Sequence, residues 1–264
     1  MKTLIITAAV SAMLLSCTMK SDPIFPVNFS PKEGKGIIKT KQFEMSFDEI
    51  KVAQSISAEV VKSDTEKVVI TGPSDIIEDV LVDNDNGKLF IHFKPHLNIS
   101  GRNVAAKIFV KDFSHLEATS SAKIVVKDKF TQDKTDIEVS SSGSISGNLE
   151  ANNLSIDVSS SGSFSGDIWA VNLESQVTSS GEITISGKAK NADLQASSSG
   201  TLDARNTVAE NADVQASSSG SVSLSAANQL NASASSSGEI SVYKKGNLNV
   251  VSQNESSGGS VTIQ

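Results

Sequence analysis

The chain has 264 residues, 5% aromatic residues and a net charge of −7. The negative balance excludes nucleic acid and anionic membrane surfaces as favoured partners, since the sequence carries no basic stripe and no glycine-rich phosphate loop. The length suits one elongated domain behind an N-terminal leader and tether.

The chain opens on an export signal. Thr3–Leu15 is an apolar run, too short to span a bilayer and suited to the core of a secretory signal. It ends at Ser16-Cys17, an order that resembles the bacterial lipobox. The resemblance implies a signal peptide over residues 1–16 and a lipidated Cys17 that anchors the protein to the membrane. Thr18 in place of Asp favours the outer membrane by the enterobacterial sorting pattern, and the side of that membrane stays open.

A tether and a strand-rich front follow. Residues 17–36 hold three prolines and two glycines and predict a flexible tether. Residues 37–118 predict strands separated by turns such as Asp85-Asn86-Gly87. Nine of the ten Phe residues precede residue 131, which predicts a wider core in this front segment. Broader coils or a β-rich cap would both fit, because an uncovered coil end exposes a sheet edge.

A Ser-Ser-Gly string then recurs through residues 119–264. Its glycines are Gly143, Gly162, Gly181, Gly200, Gly220, Gly238 and Gly258, and a degenerate copy carries Ala122 in the glycine place. The steps between the glycines are 19, 19, 19, 20, 18 and 20 residues. A nearly constant period of this length predicts a solenoid in which each coil contacts its neighbours.

Apolar residues keep fixed offsets from each glycine. Four, six and eight residues before Gly162 stand Val158, Ile156 and Leu154, and Phe164 follows two residues after it. A period of two predicts strands with one buried face on both sides of the bend. The sequence therefore predicts an all-β fold, a parallel β-helix, and argues against a flexible Ser/Gly linker.

Two polar columns predict the corners of the coil. The serine two residues before each glycine, such as Ser160, shares the parity of the apolar residues and is expected to point inward. The residue nine before each glycine is Asn in most copies, for example Asn172 and Asn191. Asn tolerates a left-handed backbone and can bond to the same amide one coil away, so a second corner with an Asn stack is expected there.

The order of these segments resembles a known family. Residues 55–62, 66–72 and 87–91, followed by the Ser-Gly coils, are similar to the putative auto-transporter adhesin, head GIN domain family, over roughly residues 40–250. The resemblance implies a right-handed parallel β-helix in an envelope protein, often a lipoprotein, with no established catalytic residues. One domain over residues 37–264 is expected, with the front segment at 37–118 and the regular coils at 119–264.

Few residues offer chemistry. The three histidines are predicted to be solvated, so no metal and no cofactor are expected. Seven residues before successive glycines stand Glu174, Asp193 and Asp213, which predict an outward acidic ladder about 4.8 Å apart per coil. Such a ladder is a solvated surface, or a contact site that also attracts a cation. Trp169 alternates with Ile168, and if it faces outward it is a candidate contact for a sugar or a protein.

These observations favour a non-catalytic, adhesin-like or scaffold lipoprotein of the outer membrane. Its expected partners are the membrane, through Cys17, and a glycan or protein at the cell surface. One alternative is a polysaccharide-binding or polysaccharide-degrading β-helix protein, because enzymes of that shape use clustered carboxylates. Another is a periplasmic structural lipoprotein without a ligand.

Overall fold

A computed structural model describes residues 30–264, and Pro31–Gln264 form one compact unit. Within this part of the chain the helical segments are two 3₁₀ turns, Ile77–Asp79 and Gly101–Asn103. None of its helices is long and apolar enough to cross a membrane. The remainder is built from nineteen strands and their turns.

The strands follow one another with short connections. In chain order they are β1 (Ile38–Glu44), β2 (Glu49–Val52), β3 (Ser57–Lys62), β4 (Lys67–Pro73), β5 (Val80–Asp85), β6 (Lys88–Phe93), β7 (Ala105–Val110), β8 (His115–Ala118), β9 (Lys123–Val126), β10 (Phe130–Val139), β11 (Ser144–Ser146), β12 (Leu149–Val158), β13 (Ser163–Val177), β14 (Glu182–Ala196), β15 (Thr201–Ala216), β16 (Ser221–Ala234), β17 (Glu239–Lys244), β18 (Asn249–Glu255) and β19 (Ser260–Ile263).

From β8 onward each strand pairs in parallel with the equivalent strand one coil away. Phe164, for example, pairs with Ile183, and Ile183 pairs with Leu202. These three side chains are buried and stack as one column inside the rod. The structure confirms the all-β parallel β-helix with coils of about 19 residues.

Each regular coil bends three times, and each bend interrupts the alternation of buried and exposed residues. In the coil of β13 the bends fall at Ser160-Ser161, at Gly166-Asp167 and at Val171-Asn172, where consecutive residues leave the core. Between the bends, alternate side chains point inward and form one continuous apolar core. The outward side chains form three faces that run along the rod.

The serine bend differs from its prediction. Ser160 and Ser161 have φ angles of 50° and 60°, and the Gly162 N–H donates to the Ser159 carbonyl at 2.8 Å. Two left-handed residues inside a four-residue hydrogen-bonded turn are the pattern of a type I′ turn. Because this backbone turns the chain sharply, both serine side chains are exposed, and the predicted inward orientation of the serine column is wrong.

The glycine after the two serines is the buried residue of the bend. A Cβ at Gly162 would lie 2.8 Å from the carbonyl oxygen of Val139 in the preceding coil. The backbones of adjacent coils approach too closely here for a side chain, which explains the repeated glycine without any unusual dihedral angle.

The Asn column forms the predicted amide ladder. The Nδ2 group of Asn172 donates to Oδ1 of Asn153 at 2.9 Å, and Asn191 and Asn211 continue the chain at 2.9 and 3.0 Å. Asn228, rather than the predicted Gln229, donates to Asn211 at 3.2 Å. None of these residues has a positive φ, so the ladder depends on side-chain bonding and not on the left-handed backbone that was expected.

The front segment combines extra coils with a cap. Strand β2 lies between β6 and β8, and β3 lies between β7 and β9, all in parallel. Strands β2 and β3 therefore form a coil that is covered on one side by the later strands β6 and β7. On its other side the chain returns as β8 and β9, which lead into the regular coils. Antiparallel strands β1, β4 and β5 complete this end, with β4 paired to both β1 and β7.

The start of the described domain and the register of its last coil differ from the prediction. The amides of Lys35 and Gly36 donate to the Asp75 carboxylate, and the Lys32 amide donates to the Asn98 carbonyl. The packed domain thus begins at Pro31, because these backbone groups find partners, and not at residue 37. In the last coil, Val251 is an extra residue, so Gly259 and not Gly258 occupies the glycine place.

Candidate functional site

One outward face of the regular coils forms an open groove of about 620 Å³, here called the acidic groove. Its floor carries the acid column, the carboxylates of Asp136, Glu174, Asp193 and Asp213. These residues lie in register on consecutive strands, with Ser155 between Asp136 and Glu174. The structure therefore brings the three predicted acids, Glu174, Asp193 and Asp213, into one lining.

The Asn ladder borders the same groove. Its amides lie two residues before the acid column on each strand. A row of side-chain amides and a row of carboxylates therefore run side by side along the groove. Glu174 and Asp213 are exposed, while Asp193 is half-buried and accepts a hydrogen bond from Nε2 of Gln195 at 3.1 Å. The arrangement offers carboxylate and amide oxygens, together with amide N–H donors, to a polar ligand.

A second acid column runs beside the first. Glu117, Glu138 and Asp157 pair in register on β8, β10 and β12. Partial burial, followed by the nearby charges of Glu174, Glu138 and Asp136, raises the pKa of the Asp157 carboxyl above its ordinary value. The surroundings of Asp157 thus disfavour the charged form of its carboxyl.

Trp169 lies on another face of the coil. Its side chain is 46% exposed while Ile168 is buried, so Trp169 is the residue of this pair that faces outward. It lies in register with Glu150 and Lys188 and does not line the acidic groove. The structure therefore separates Trp169 from the three acids, with the Asn corner between them.

The front segment carries a second groove of about 720 Å³, the front groove, which shares Lys134 and Asp136 with the acidic groove. Its charges are partly paired, for Lys51 contacts Glu117 at 2.7 Å and Lys88 contacts Glu49 at 3.0 Å. His115 also lines it, half-buried and close to Glu117.

The other two histidines are not among the residues that line the front groove. His92 is bonded to Asp83 and to the Phe93 carbonyl, both at 2.8 Å, and His96 is exposed. Of the residues predicted to be functional, Cys17 lies outside the described residues.

Sequence reasoning missed the second acid column. Its members lie five residues before Ala122, Gly143 and Gly162, so the glycine-based alignment that found the first column also contains them. His115 lies seven residues before Ala122, in the column of Asp136, and the pairing of β8 with β10 places it beside the second column.

The chain matches the sequence model of a known protein family. The model of the family described as putative auto-transporter adhesin, head GIN domain, matches residues 46–166 and 147–246. These two matches together cover the front groove, the acidic groove and most of the regular coils. A search of curated proteins found no match.

Solved structures share the fold. A putative adhesin from Parabacteroides distasonis is 22% identical with a TM-score of 0.82, and covers 88% of this chain and 99% of its own. A putative lipid binding protein from the same species is 23% identical with a TM-score of 0.80 and the same two coverages. A putative adhesin from Parabacteroides merdae is 20% identical with a TM-score of 0.77, and covers 88% of this chain and 98% of its own. At these identities the likeness concerns the fold alone.

Proposed function

Because the chain belongs to the putative auto-transporter adhesin, head GIN domain family, we propose that it is a non-catalytic, adhesin-like protein of the cell envelope. The acidic groove is its binding surface. The observation that carries this proposal is the register of Glu174, Asp193 and Asp213 beside a bonded Asn ladder, on a rigid stack of coils. Ligand groups along this groove would meet a carboxylate and an Asn amide at each of the three coils that carry Glu174, Asp193 and Asp213.

The ligand is a polar molecule with hydroxyl or ammonium groups, such as a glycan or a protein segment. Carboxylates accept hydrogen bonds from both kinds of group, and amides add donors and acceptors. The groove presents polar groups along its floor and border, which favours such ligands over a lipid chain. That distinction matters here because one of the similar structures is described as a lipid binding protein.

Membrane attachment is part of the same proposal. A lipidated Cys17 would attach the chain to the outer membrane. Two or more acyl chains are enough for stable anchoring. On the outer surface of that membrane the protein would act as an adhesin. On the periplasmic side it would be the structural lipoprotein of the alternative.

Polysaccharide cleavage is a second candidate, favoured by one observation. The pKa of Asp157 is raised by burial and by Glu174 among its neighbours, and a carboxyl with a raised pKa beside a second carboxyl is the pattern that general acid catalysis of glycoside hydrolysis uses. Incubating the protein with polysaccharides and measuring new reducing ends tests this candidate. Cleavage that is lost in Asp157→Asn and Glu174→Gln would replace the non-catalytic proposal.

Binding is tested on a glycan array and with envelope extracts, using the triple variant Glu174→Gln, Asp193→Asn, Asp213→Asn. We expect binding to fall about tenfold or more, because several charge-assisted hydrogen bonds are lost together. Glu182→Gln is the matched control, since Glu182 is an exposed acid beyond the serine bend. Unchanged binding by the triple variant, with loss in Trp169→Ala, would move the contact site to the other face.

Location is tested by adding protease to intact cells. An adhesin at the cell surface is cleaved under these conditions, and a marker protein of the periplasm stays intact as the control. Full protection of the chain would overturn the adhesin role in favour of the periplasmic alternative. Cys17→Ser should release the protein from the membrane fraction, and retention there would overturn the lipid anchor.

A further inference from the structure

Three side chains of the front groove form a set of donors that metals bind. Donor atoms of His115, Glu117 and Glu138 all lie within 4.8 Å of one another. His115 and Glu117 are half-buried on β8, and Glu138 is exposed on β10. A set of one imidazole and two carboxylates differs from a purely acidic cluster, because imidazole selects for transition ions.

The fold fixes this arrangement through the backbone. His115 and Glu117 are two residues apart on one strand and therefore point to the same face. Glu138 pairs in register with Glu117 on the neighbouring parallel strand. Strand spacing of about 4.8 Å and a two-residue rise of about 6.6 Å place the three side chains around one point above the sheet.

The surrounding charges leave room for a cation. Lys51 contacts one oxygen of Glu117 at 2.7 Å, and Lys134 is paired with Asp136 at 2.7 Å. Across the described part of the chain, the side chains of His115 and Glu138 take no hydrogen bond or ion pair. Two of the three donors are therefore available, and the third shares its charge with one lysine.

We propose that His115, Glu117 and Glu138 bind a divalent first-row transition ion, with Zn²⁺ as the best fit. Ligand atoms on a tetrahedral zinc ion lie about 3.4 Å apart, since its bonds to nitrogen and oxygen are about 2.0–2.2 Å long. The side chains reach that spacing by rotation about the flexible bonds of the two glutamates. Three protein ligands leave the fourth position to water or to a group of a bound partner.

The site would join two parts of the molecule. Strand β8 begins where the chain returns from the cap to the stack, and β10 belongs to the regular coils. A metal bound to both strands would cross-link this seam and stabilise the folded chain in proportion to its occupancy.

The test uses the full chain carrying Cys17→Ser, so that neither the lipid nor the thiol contributes to metal binding. Isothermal titration with ZnCl₂ should give one site per chain, and zinc should raise the melting temperature. His115→Gln and Glu138→Gln should each weaken binding on the order of tenfold or more. His96→Gln is the matched control, because His96 is exposed and apart from the site.

Two further measurements distinguish zinc binding at this site from a change in folding and from binding elsewhere. Lys51→Met removes the lysine that competes for Glu117 and should strengthen zinc binding, an effect that a loss of folding cannot imitate. Absence of zinc binding to the parent chain, or equal affinity in either ligand variant, would overturn the proposal. Binding of Ca²⁺ alone, lost in the Glu174, Asp193 and Asp213 triple variant, would place the cation on the acid column instead.

Discussion

The front segment and the regular coils use the same turn but fill its corner differently. Gln54 and Ser55 have φ angles of 60°, like the serines of the later bends, and the next residue is a fully buried Ile56. The first regular coil has Ala122 at this register position, and later coils have glycine. The turn therefore accepts a side chain at the residue that follows the two left-handed positions. The distance to the adjacent coil limits the size of that side chain.

The two regions also balance charge in different ways. In the front, lysines pair with acids and also lie over aromatic rings, as Lys51 does with Glu117 and with Phe90 at 5.3 Å. Within residues 151–264 the one ion pair is Arg205 with Asp203. The coils of this range are stabilised instead by a core of small and aliphatic residues and by amide ladders, and Glu174, Asp193 and Asp213 take no ion pair within the described chain.

The largest effect is expected from filling a closed corner. A Cβ at Gly220 would lie 2.5 Å from the carbonyl oxygen of Ala196 and 2.7 Å from the backbone nitrogen of Ser197, both in the preceding coil. Gly220→Ala should therefore reduce the free energy of unfolding by about 3 kcal/mol, because two coils must separate to admit the methyl group. Urea unfolding followed by circular dichroism measures the change.

The control for that variant is the reverse change at the open corner. Ala122→Gly removes a buried methyl group and adds backbone freedom, and should cost about 1 kcal/mol. An equal or larger loss for Ala122→Gly would contradict the view that stacking distance sets the residue at this position.

The period of the glycines was enough to predict most of the regular coils. Fixed offsets placed the apolar core, the Asn ladder and the acid column because one strand pairs with the next at the same offset, as Glu174 does with Asp193. The offsets could not give the direction of Ser160, since parity fails where two residues in succession are left-handed.

The front could not be predicted in the same way. Its stacking order depends on pairs distant in sequence, such as Glu49 with His115, and no repeat marks them. The cluster around His115 is different, because His115 and Glu117 lie seven and five residues before Ala122 and so keep the offsets of the repeat. The alignment could not show that these side chains converge, nor that the pKa of Asp157 is raised, since both depend on neighbours across strands.

A smaller gain is expected from an interior residue that breaks its column. Ser175 lies between Ile156 and Leu194, fully buried, and its hydroxyl has no hydrogen-bond partner within the described chain. Ser175→Ala should raise the free energy of unfolding by about 1 kcal/mol, because the desolvated hydroxyl is removed. The exposed Ser233 provides the control, and Ser233→Ala should change little. A loss of stability in Ser175→Ala would indicate that the hydroxyl has a partner.

The smallest effect concerns unbalanced charge on the regular coils. Because burial and the charges of Glu174, Glu138 and Asp136 raise the pKa of Asp157 in the folded chain, the folded state holds this proton to higher pH than the unfolded state. Its contribution to stability is therefore greatest below the ordinary pKa of 3.8 and declines as the pH rises through the raised value. Asp157→Asn should gain roughly 0.5 kcal/mol at most at pH 7 and nothing near pH 3, since solvent still reaches and screens this partly buried side chain. Urea midpoints at both pH values measure this difference, and the exposed Asp64→Asn is the control. An equal gain at both pH values would mean that the carboxylate charge is not the cause, and the contrast with the front, where lysines pair with acids, would lose its electrostatic basis.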